Sequence, residues 1–230
     1  MKIGAVILSR MDSIRLPGKA LLEAGGQPLL GHVLAFCRKA DGIDTIALAT
    51  SDRLVDEPLS DFAKMNGITC IRGSLDNVAQ RFLCAMKTLN LDAAVRINGD
   101  SPLINPRLIS DCIQRFKGGN FDLVSNVPKR TYPYGMSVEV VGRNAMRHAC
   151  AVMSDLKHQE HVTKYFYDNQ DNFNISIVTS GEPRFSKVQL AIDTREDFER
   201  FVWIVDQLEG DPADSDIETI VDLAKAYPLV

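Results

Sequence analysis

The stretch IGAVILSRMDSIRLPGK, residues 3–19, combines an apolar strand pattern with a polar, cationic loop. It opens with an apolar run that has the length and composition of a buried strand. The polar loop that follows carries the cations Arg10, Arg15 and Lys19 and the conformationally permissive Gly18. Proteins of the α/β class present their ligands on such loops, at the carboxyl ends of their strands. We therefore predict an α/β fold with this loop at its binding edge.

The residue types of the loop at 9–19 indicate a polyphosphate ligand. Arginine offers a planar fork of donors and lysine a compact charge, and both suit phosphate oxygens. The loop contains neither GxGxxG nor the full GxxxxGK[ST] pattern, so it supports neither a dinucleotide-binding fold nor a P-loop NTPase. The alternative is a solvated turn whose cations form surface salt bridges. We favour a site for a triphosphate.

Composition limits the classes of protein that fit. The chain has 230 residues, 45% of them hydrophobic, and a formal net charge of −4, which argues against a nucleic-acid or membrane-surface partner. Its five cysteines form no CxxC pair, so we expect buried, reduced thiols in a cytoplasmic protein. We find no signal sequence and no apolar stretch that would span a bilayer.

The hydrophobic pattern predicts one domain over 1–230 with a mostly parallel central sheet and a small inserted lobe at 126–170. The predicted strands are 3–8, 45–50, 68–72, 93–98, 121–125, 135–141, 175–178 and 188–192. The predicted helices are 28–39, 56–65, 76–89 and 158–167, with a further helix after the capping box of Thr194 and Asp197.

Two aspartates follow predicted strands. Asp100 lies in RINGDSP, residues 96–102, and Asp193 lies in QLAIDTR, residues 189–195. A carboxylate at the carboxyl end of a strand suits Mg²⁺, which takes few protein oxygens and fills its octahedron with phosphate and water. The alternatives are a turn-former or helix cap for Asp100 and a capping role for Asp193. Together with the cationic loop, the two acids indicate metal-assisted nucleotidyl transfer.

Five segments resemble one family in the same order along the chain. They are RLPGK, RINGDSPLI, SNV…YPYGMSVEVV, QEHVTKY and LAIDTREDF. The family is that of the CMP-sugar cytidylyltransferases, with the spore-coat-polysaccharide-biosynthesis type as the most similar subgroup. The CMP-3-deoxy-manno-octulosonate and CMP-sialate synthetases are related to it. The resemblance implies a Rossmann-like nucleotide-diphospho-sugar transferase fold and Mg²⁺-dependent transfer of CMP from CTP to an acidic 3-deoxy-ulosonate. It further implies release of pyrophosphate, surface polysaccharide biosynthesis and a homodimer.

The resemblance also implies roles for individual residues, although relatives of this subgroup usually have an acid at the position of Asn77. Catalysis would rest on Arg10, Lys19, Asp100 and Asp193, and the metal on Asp100 and Asp193. The nucleotide would contact Leu8, Ser9, Arg10, Ser13, Arg15, Lys19, Arg72, Ser74, Asn77 and Asp100. The sugar would contact Arg130 through its carboxylate, Glu139 through its hydroxyls, and also Tyr134 and His161.

Two other functions fit parts of the pattern. A glycosyltransferase would keep the fold but use a finished nucleotide sugar, and it would usually carry a paired-acid metal motif that we do not find. A non-catalytic nucleotide-binding regulator would not need both strand-end aspartates. We therefore expect an enzyme, and we leave both alternatives to experiment.

Overall fold

The computed structural model describes residues 1–228 and contains nine strands and nine α-helices in that range. The strands are β1 (Ile3–Leu8), β2 (Glu23–Ala24), β3 (Gln27–Pro28), β4 (Thr45–Ser51), β5 (Thr69–Gly73), β6 (Ala93–Asn98), β7 (Leu123–Ser125), β8 (Glu139–Gly142) and β9 (Ile175–Ile177). The helices are α1 (Leu29–Lys39), α2 (Glu57–Met65), α3 (Val78–Thr88), α4 (Pro106–Lys117), α5 (Arg143–Val152), α6 (Leu156–Glu160), α7 (Lys164–Asp168), α8 (Arg195–Gln207) and α9 (Ile217–Ala226).

The first half of the chain forms the parallel part of a seven-stranded sheet. The order is β5-β4-β1-β6-β8-β7-β9, and β5, β4, β1 and β6 are all parallel. Strand β1 is a continuous apolar run because helices cover both faces of the sheet. Its Ile7 packs in the same core cluster as α1 and α4, and its Val6 packs with α3 on the other face. The predicted α/β fold with a mostly parallel sheet is confirmed.

The second half adds antiparallel pairing. Strand β8 lies antiparallel between β6 and β7, while β9 runs parallel to β7. The predicted strand 135–141 is present only from Glu139, and β8 continues to Gly142. The region 126–170 therefore contributes β8 to the main sheet and places α5, α6 and α7 beside it.

The predicted strand at 188–192 is wrong. This segment makes a single bridge, between Gln189 and Tyr134, where Tyr134 N–H donates to Val188 at 2.9 Å. The neighbouring Gly135 has φ +95°, and a Cβ there would lie 2.4 Å from the backbone nitrogen of Ala191. The two backbones touch at this glycine, and the pairing does not extend beyond this one bridge into a longer β-ladder.

The predicted helix at 158–167 is also wrong in its middle. It divides into α6 and α7, and His161 ends α6 with φ −99° and ψ 45°. Val162 is fully buried in the turn between the two helices, and Phe166 of α7 is fully buried against the sheet. Because the helix is broken at His161, α7 packs its aromatic side chains without having to continue the axis of α6.

The cysteines are free thiols in several environments. Burial raises the pKa of Cys37 and Cys112 to about 12, which fits their positions in the core. Cys84 is exposed, so the expectation of five buried thiols is wrong at that position. Within residues 1–228, none of the helices has the length and apolar character needed to cross a membrane.

Candidate active site

The fold brings Asp100 and Asp193 to a common partner, the ammonium group of Lys19. Lys19 Nζ lies 3.0 Å from Asp100 Oδ2 and 3.4 Å from Asp193 Oδ1. It also donates to the carbonyl oxygen of Ile192 at 2.6 Å. Arg15 also pairs with the Asp193 carboxylate, and its Nη2 lies 2.8 Å from Asp193 Oδ1. An early cationic loop and two distant aspartates therefore meet at one point.

Asp100 is positioned by the close approach of β1 and β6. The two strands pair in parallel register, and Gly99 N–H then donates to the carbonyl oxygen of Leu8 at 2.8 Å. A Cβ on Gly99 would lie 2.6 Å from Ser9 Cβ and 3.0 Å from that carbonyl oxygen. Glycine at this position therefore allows the loops after β1 and β6 to lie side by side, with Asp100 at their junction.

Asp193 is positioned by the start of α8. Thr194 and Asp197 form the predicted capping box, and Asp197 Oδ2 accepts hydrogen bonds from the backbone N–H groups of Asp193 at 3.1 Å and Thr194 at 2.9 Å. Burial opposes the charge on Asp197, but the hydrogen bond from the Thr194 hydroxyl, these backbone bonds and the charge of Arg200 outweigh it and hold the pKa below the ordinary value of 3.8. A second link joins the two acidic turns, since Ile192 N–H donates to the carbonyl oxygen of Asp100 at 2.9 Å.

A cavity of about 430 Å³ opens over these residues at the carboxyl ends of β1 and β6. This volume is in the range of sites for small molecules. Among the described residues, five cations and three acids line it, a balance that suits an anionic ligand. The lining residues are Leu8, Ser9, Arg10, Ser13, Ile14, Arg15, Lys19, Val78, Arg81, Arg96, Asn98, Asp100, Glu160, His161 and Asp193.

The cavity separates the residues predicted from the sequence into two groups. Those that line it are Leu8, Ser9, Arg10, Ser13, Arg15, Lys19, Asp100, His161 and Asp193. Those that lie elsewhere in the part of the chain that the structure describes are Arg72, Ser74, Asn77, Arg130, Tyr134 and Glu139. The first group is dominated by one loop, and the second comes from two segments whose positions depend on tertiary packing.

The predicted nucleoside-side residues make local contacts and do not line the cavity: Arg72 contacts residues at the end of β4 and in α2, and Ser74 and Asn77 lie at the start of α3. Arg72 pairs with Glu57 and donates to backbone carbonyl oxygens. Ser74 Oγ accepts from the Asn77 N–H at 3.1 Å, and Asn77 Oδ1 accepts from Gln80 N–H at 2.9 Å as the helix cap. Their side chains make these local bonds and are not part of the cavity lining, and their contact with the nucleotide stays a prediction.

The predicted sugar-side residues are also engaged elsewhere. The Arg130 guanidinium lies over the Tyr134 ring at 4.4 Å and donates to Ser137 Oγ at 3.2 Å. Glu139 is 1% exposed and pairs with Arg96. Direct contact between the Glu139 carboxylate and sugar hydroxyls is therefore at odds with its burial.

Residues 5–227 match the sequence profile of the family described as Cytidylyltransferase. The chain belongs to the cytidylyltransferase family. This cytidylyltransferase is 28% identical to "Spore coat polysaccharide biosynthesis protein SpsF" of Bacillus subtilis, over 97% of this chain and 94% of that protein.

Two further proteins extend the comparison. A 3-deoxy-manno-octulosonate cytidylyltransferase of Pelobacter propionicus is 34% identical over 50% of this chain and 44% of its own length. The solved structure of a cytidylyltransferase from Leptospira borgpetersenii superposes with a TM-score of 0.90 at 29% identity, covering 98% of this chain and 93% of that one. The family resemblance stated from the motifs is confirmed.

Arg81 is a lining residue of this cytidylyltransferase that sequence reasoning missed. It is 4% exposed, its Nη1 donates to the carbonyl oxygen of Ser74 at 2.5 Å, and its Nε has no hydrogen-bond partner within residues 1–228. Burial and then the nearby charge of Arg10 lower its pKa. Its position inside a regular helical pattern gives no signal. Arg96 and Asn98, also missed, alternate with apolar residues in β6, which is a usable sign of one polar face.

The buried carboxylate of Asp56 stabilises the backbone of the cationic loop. Asp56 is fully buried, accepts from Met11 N–H at 2.6 Å and pairs with the Ser51 hydroxyl. Arg53 adds an ion pair to Asp12 at 2.6 Å. The loop backbone is therefore fixed at residues 11 and 12, while the neighbouring cations extend over the cavity.

The donor set at the centre of the site fits Mg²⁺. Within residues 1–228 the structure contains no cluster of three or more His, Cys, Asp or Glu side chains of the kind that encloses a metal. Asp100 and Asp193 instead present two partly exposed carboxylates on one ammonium. Mg²⁺ binds through one or two carboxylates and keeps its other positions for water and phosphate, so the two acids suffice.

Proposed function

We propose that the chain transfers CMP from CTP to a sugar hydroxyl and releases pyrophosphate. The observation that carries the proposal is the meeting of Lys19 with Asp100 and Asp193 beside the cationic loop at 9–19. The loop supplies the positive charge that a triphosphate needs. The two carboxylates supply ligands for the cation that accompanies a triphosphate.

The proposed reaction joins the sugar oxygen to the α-phosphorus of CTP, and the proton of the sugar hydroxyl is released to water. The bond from that phosphorus to the oxygen bridging to the β-phosphate breaks, and pyrophosphate leaves with its electron pair. Arg10, Arg15 and Lys19 stabilise the charge on the leaving group, and Ser13 donates a hydrogen bond to a phosphate oxygen. The protein contributes position and electrostatic stabilisation, so the reaction needs no covalent intermediate on the enzyme.

We assign the metal to Asp100 and Asp193. When bound, Mg²⁺ would neutralise phosphate charge and make the α-phosphorus more electrophilic. Lys19 holds both carboxylates in the apo geometry, and its side chain is only 12% exposed. A lysine in that setting keeps two like-charged acids together, because its ammonium offsets their repulsion.

The proposed acceptor is an acidic 3-deoxy-ulosonate, such as an octulosonate or a sialic-acid-like sugar. The Pelobacter relative, a 3-deoxy-manno-octulosonate cytidylyltransferase that matches half of this chain, supports that class. The Bacillus relative, a spore coat polysaccharide biosynthesis protein, supports a place in surface polysaccharide biosynthesis. Arg96, Glu160 and His161 also line the cavity and offer the acceptor both charge and hydrogen bonds.

A pyrophosphate-release assay tests the proposal. The enzyme is supplied with CTP, ATP, GTP or UTP, each with Mg²⁺ and a panel of acidic and neutral sugars. We expect release only when CTP and an acidic sugar are present together, and we expect chelation of the cation to stop it. CTP binding without turnover on any sugar favours the regulator, and consumption of a finished CMP-sugar favours the glycosyltransferase.

The homodimer and the cytoplasmic location remain predictions. Two exposed apolar side chains in the region 126–170, Val152 at 49% and Leu156 at 72%, are candidate dimer contacts. Size-exclusion chromatography with light scattering gives the mass in solution. A monomer at micromolar concentration would contradict the dimer, and Leu156→Lys is the variant that weakens it if this surface is used.

A further inference from the structure

A row of polar side chains crosses the sheet beneath the cavity. The strand register aligns Val6 of β1 with Arg96 of β6, Arg96 with Glu139 of β8, and Glu139 with Ser125 of β7. Residues paired in this way project from the same face of a sheet. On this face the next pair toward the start of β6, Ala94 with Val141, is fully buried and apolar. The row therefore places charge where the fold otherwise packs hydrocarbon.

Every carboxylate and hydroxyl in this row has a partner. Glu139 is 1% exposed and accepts from Arg96 Nη1 through one oxygen and from the Tyr167 hydroxyl through the other. The Ser125 hydroxyl lies 2.7 Å from the Tyr167 oxygen and completes the chain of hydrogen bonds. A buried carboxylate with this set of partners holds its guanidinium partner in one orientation.

Arg96 itself retains unused donors at the cavity wall. Its side chain is 19% exposed, it lines the cavity, and its buried Nε has no hydrogen-bond partner within the described residues. A guanidinium has five N–H donors, and only one of its nitrogens is bonded to Glu139. A partly desolvated cation with free donors is suited to an anionic ligand.

The partners of Arg96 distinguish it from the other lining cations. Arg10 pairs with Asp12, and Arg15 and Lys19 pair with the strand-end aspartates. Arg81 also has an Nε without a partner within residues 1–228, but its guanidinium is bonded there to the backbone carbonyl oxygen of Ser74 and to no carboxylate. Arg96 is paired with a residue of the region 126–170, on the side of β6 away from the loop. The triphosphate already has the cations of that loop, so Arg96 is available to the other substrate.

We infer that Arg96 binds the carboxylate of the acceptor sugar, with Glu139 and Tyr167 as its positioning residues. This inference rests on the proposed function and deepens it. It reassigns the carboxylate contact that the family resemblance implies for Arg130, whose guanidinium lies over Tyr134 outside the cavity lining. It also gives Glu139 a part in sugar binding, through Arg96 and without contact to the sugar.

The test compares carboxylate and ester forms of one acceptor. 3-Deoxy-manno-octulosonate and N-acetylneuraminate, each with its methyl ester, are assayed for pyrophosphate release, and CTP affinity is measured separately by calorimetry without sugar. We expect Arg96→Met to raise the acceptor KM between about 10- and 100-fold and to remove most of the preference for carboxylate over ester. We expect CTP affinity within about twofold of the wild type.

Companion variants separate positioning from folding. Arg96→Lys keeps the charge without the planar fork and should restore part of the preference, and Glu139→Gln should reduce the preference with CTP affinity unchanged. Arg130→Met is the matched control and should leave the preference as in the wild type. Thermal melting of each variant shows whether it is folded, and the ester-to-carboxylate ratio is a readout that a loss of stability alone does not change.

Four results would overturn the inference. They are an unchanged preference in Arg96→Met, loss of CTP affinity in Arg96→Met, transfer of the effect to Arg130→Met, and wild-type turnover on neutral sugars alone. The last result would leave nucleotidyl transfer in place and remove only the carboxylate site. A wild-type enzyme that binds CTP but releases no pyrophosphate with any sugar would instead refute the proposed function, and this inference with it.

Discussion

The two walls of the cavity hold their cations in different ways. One wall is the cationic loop at 9–19, here called the phosphate wall, where Arg15 is 62% exposed and pairs with Asp193 and where Asp56 fixes the loop backbone. The other is the part of β6 that lines the cavity, here called the sheet wall, where Arg96 is 19% exposed and pairs with the buried carboxylate of Glu139. Under the proposed function, the phosphate wall adjusts its side chains around a flexible triphosphate. The sheet wall is preorganised, which reduces the entropy lost on binding and sharpens the choice of ligand.

We expect the largest loss of activity from substitution of Asp100 or Asp193, the two acids that contact Lys19. Asp100→Asn and Asp193→Asn each remove a proposed metal ligand, so we expect pyrophosphate release to fall at least about 100-fold, with the melting temperature nearly unchanged. Asp61→Asn, an exposed aspartate on α2, is the matched control and should keep wild-type rates. Near-normal turnover of Asp193→Asn at saturating Mg²⁺ would contradict the role of that carboxylate.

A second pair of variants compares the contributions of Lys19 and Arg15 to CTP turnover. Lys19 is 12% exposed and touches both acids, whereas Arg15 is 62% exposed and touches one. Because screening by water weakens exposed charges, Lys19→Met should reduce kcat/KM for CTP by about 100-fold and Arg15→Met by about tenfold. Steady-state kinetics with varied CTP measures both. Equal losses would show that burial does not set the contribution of these cations.

The same contrast explains what the sequence could predict. The residues of the cationic loop are contiguous and follow directly from a strand, so their place at the carboxyl edge is set by local pattern. Asp100 was predictable in the same way, because it follows Gly99 directly after a predicted strand. The acceptor side depends on the antiparallel insertion of β8 and on the break between α6 and α7, which no local period encodes. The direct sugar contacts predicted for Arg130 and Glu139 do not take account of this packing, in which Arg130 lies over Tyr134 and Glu139 pairs with Arg96.

A third prediction concerns the link between the two walls. Gly135 has φ +95°, and an added Cβ would lie 2.4 Å from Ala191 N, in the segment that leads to Asp193. Gly135→Ala should therefore destabilise the fold by more than the roughly 1 to 2 kcal/mol of left-handed strain alone. Gly181→Ala is the matched control, with φ +75° and nothing within 4 Å of its Cβ. Equal denaturation midpoints for the two variants would contradict the close contact.

The smallest expected effect is on the helix that carries Asp193. Although burial opposes the charge on Asp197, bonds from Thr194 and Asp193 and the charge of Arg200 keep its pKa lowered. A lowered carboxyl pKa stabilises the fold above the unfolded pKa, about 3.9, and this stabilisation is lost as pH falls through the folded-state pKa. Asp197→Asn should therefore cost about 1 kcal/mol at pH 7. Urea denaturation should show the difference from the wild type shrinking below pH 4, and a constant difference would contradict this assignment.

The most direct test of the central claim is calorimetric titration of CTP into the wild type and Asp193→Asn, each with and without Mg²⁺. If the cationic loop and the two aspartates form one nucleotide–metal site, Mg²⁺ will tighten CTP binding to the wild type, and Asp193→Asn will lose most of that gain. The same gain in both proteins, or no effect of Mg²⁺ on the wild type, would contradict the account.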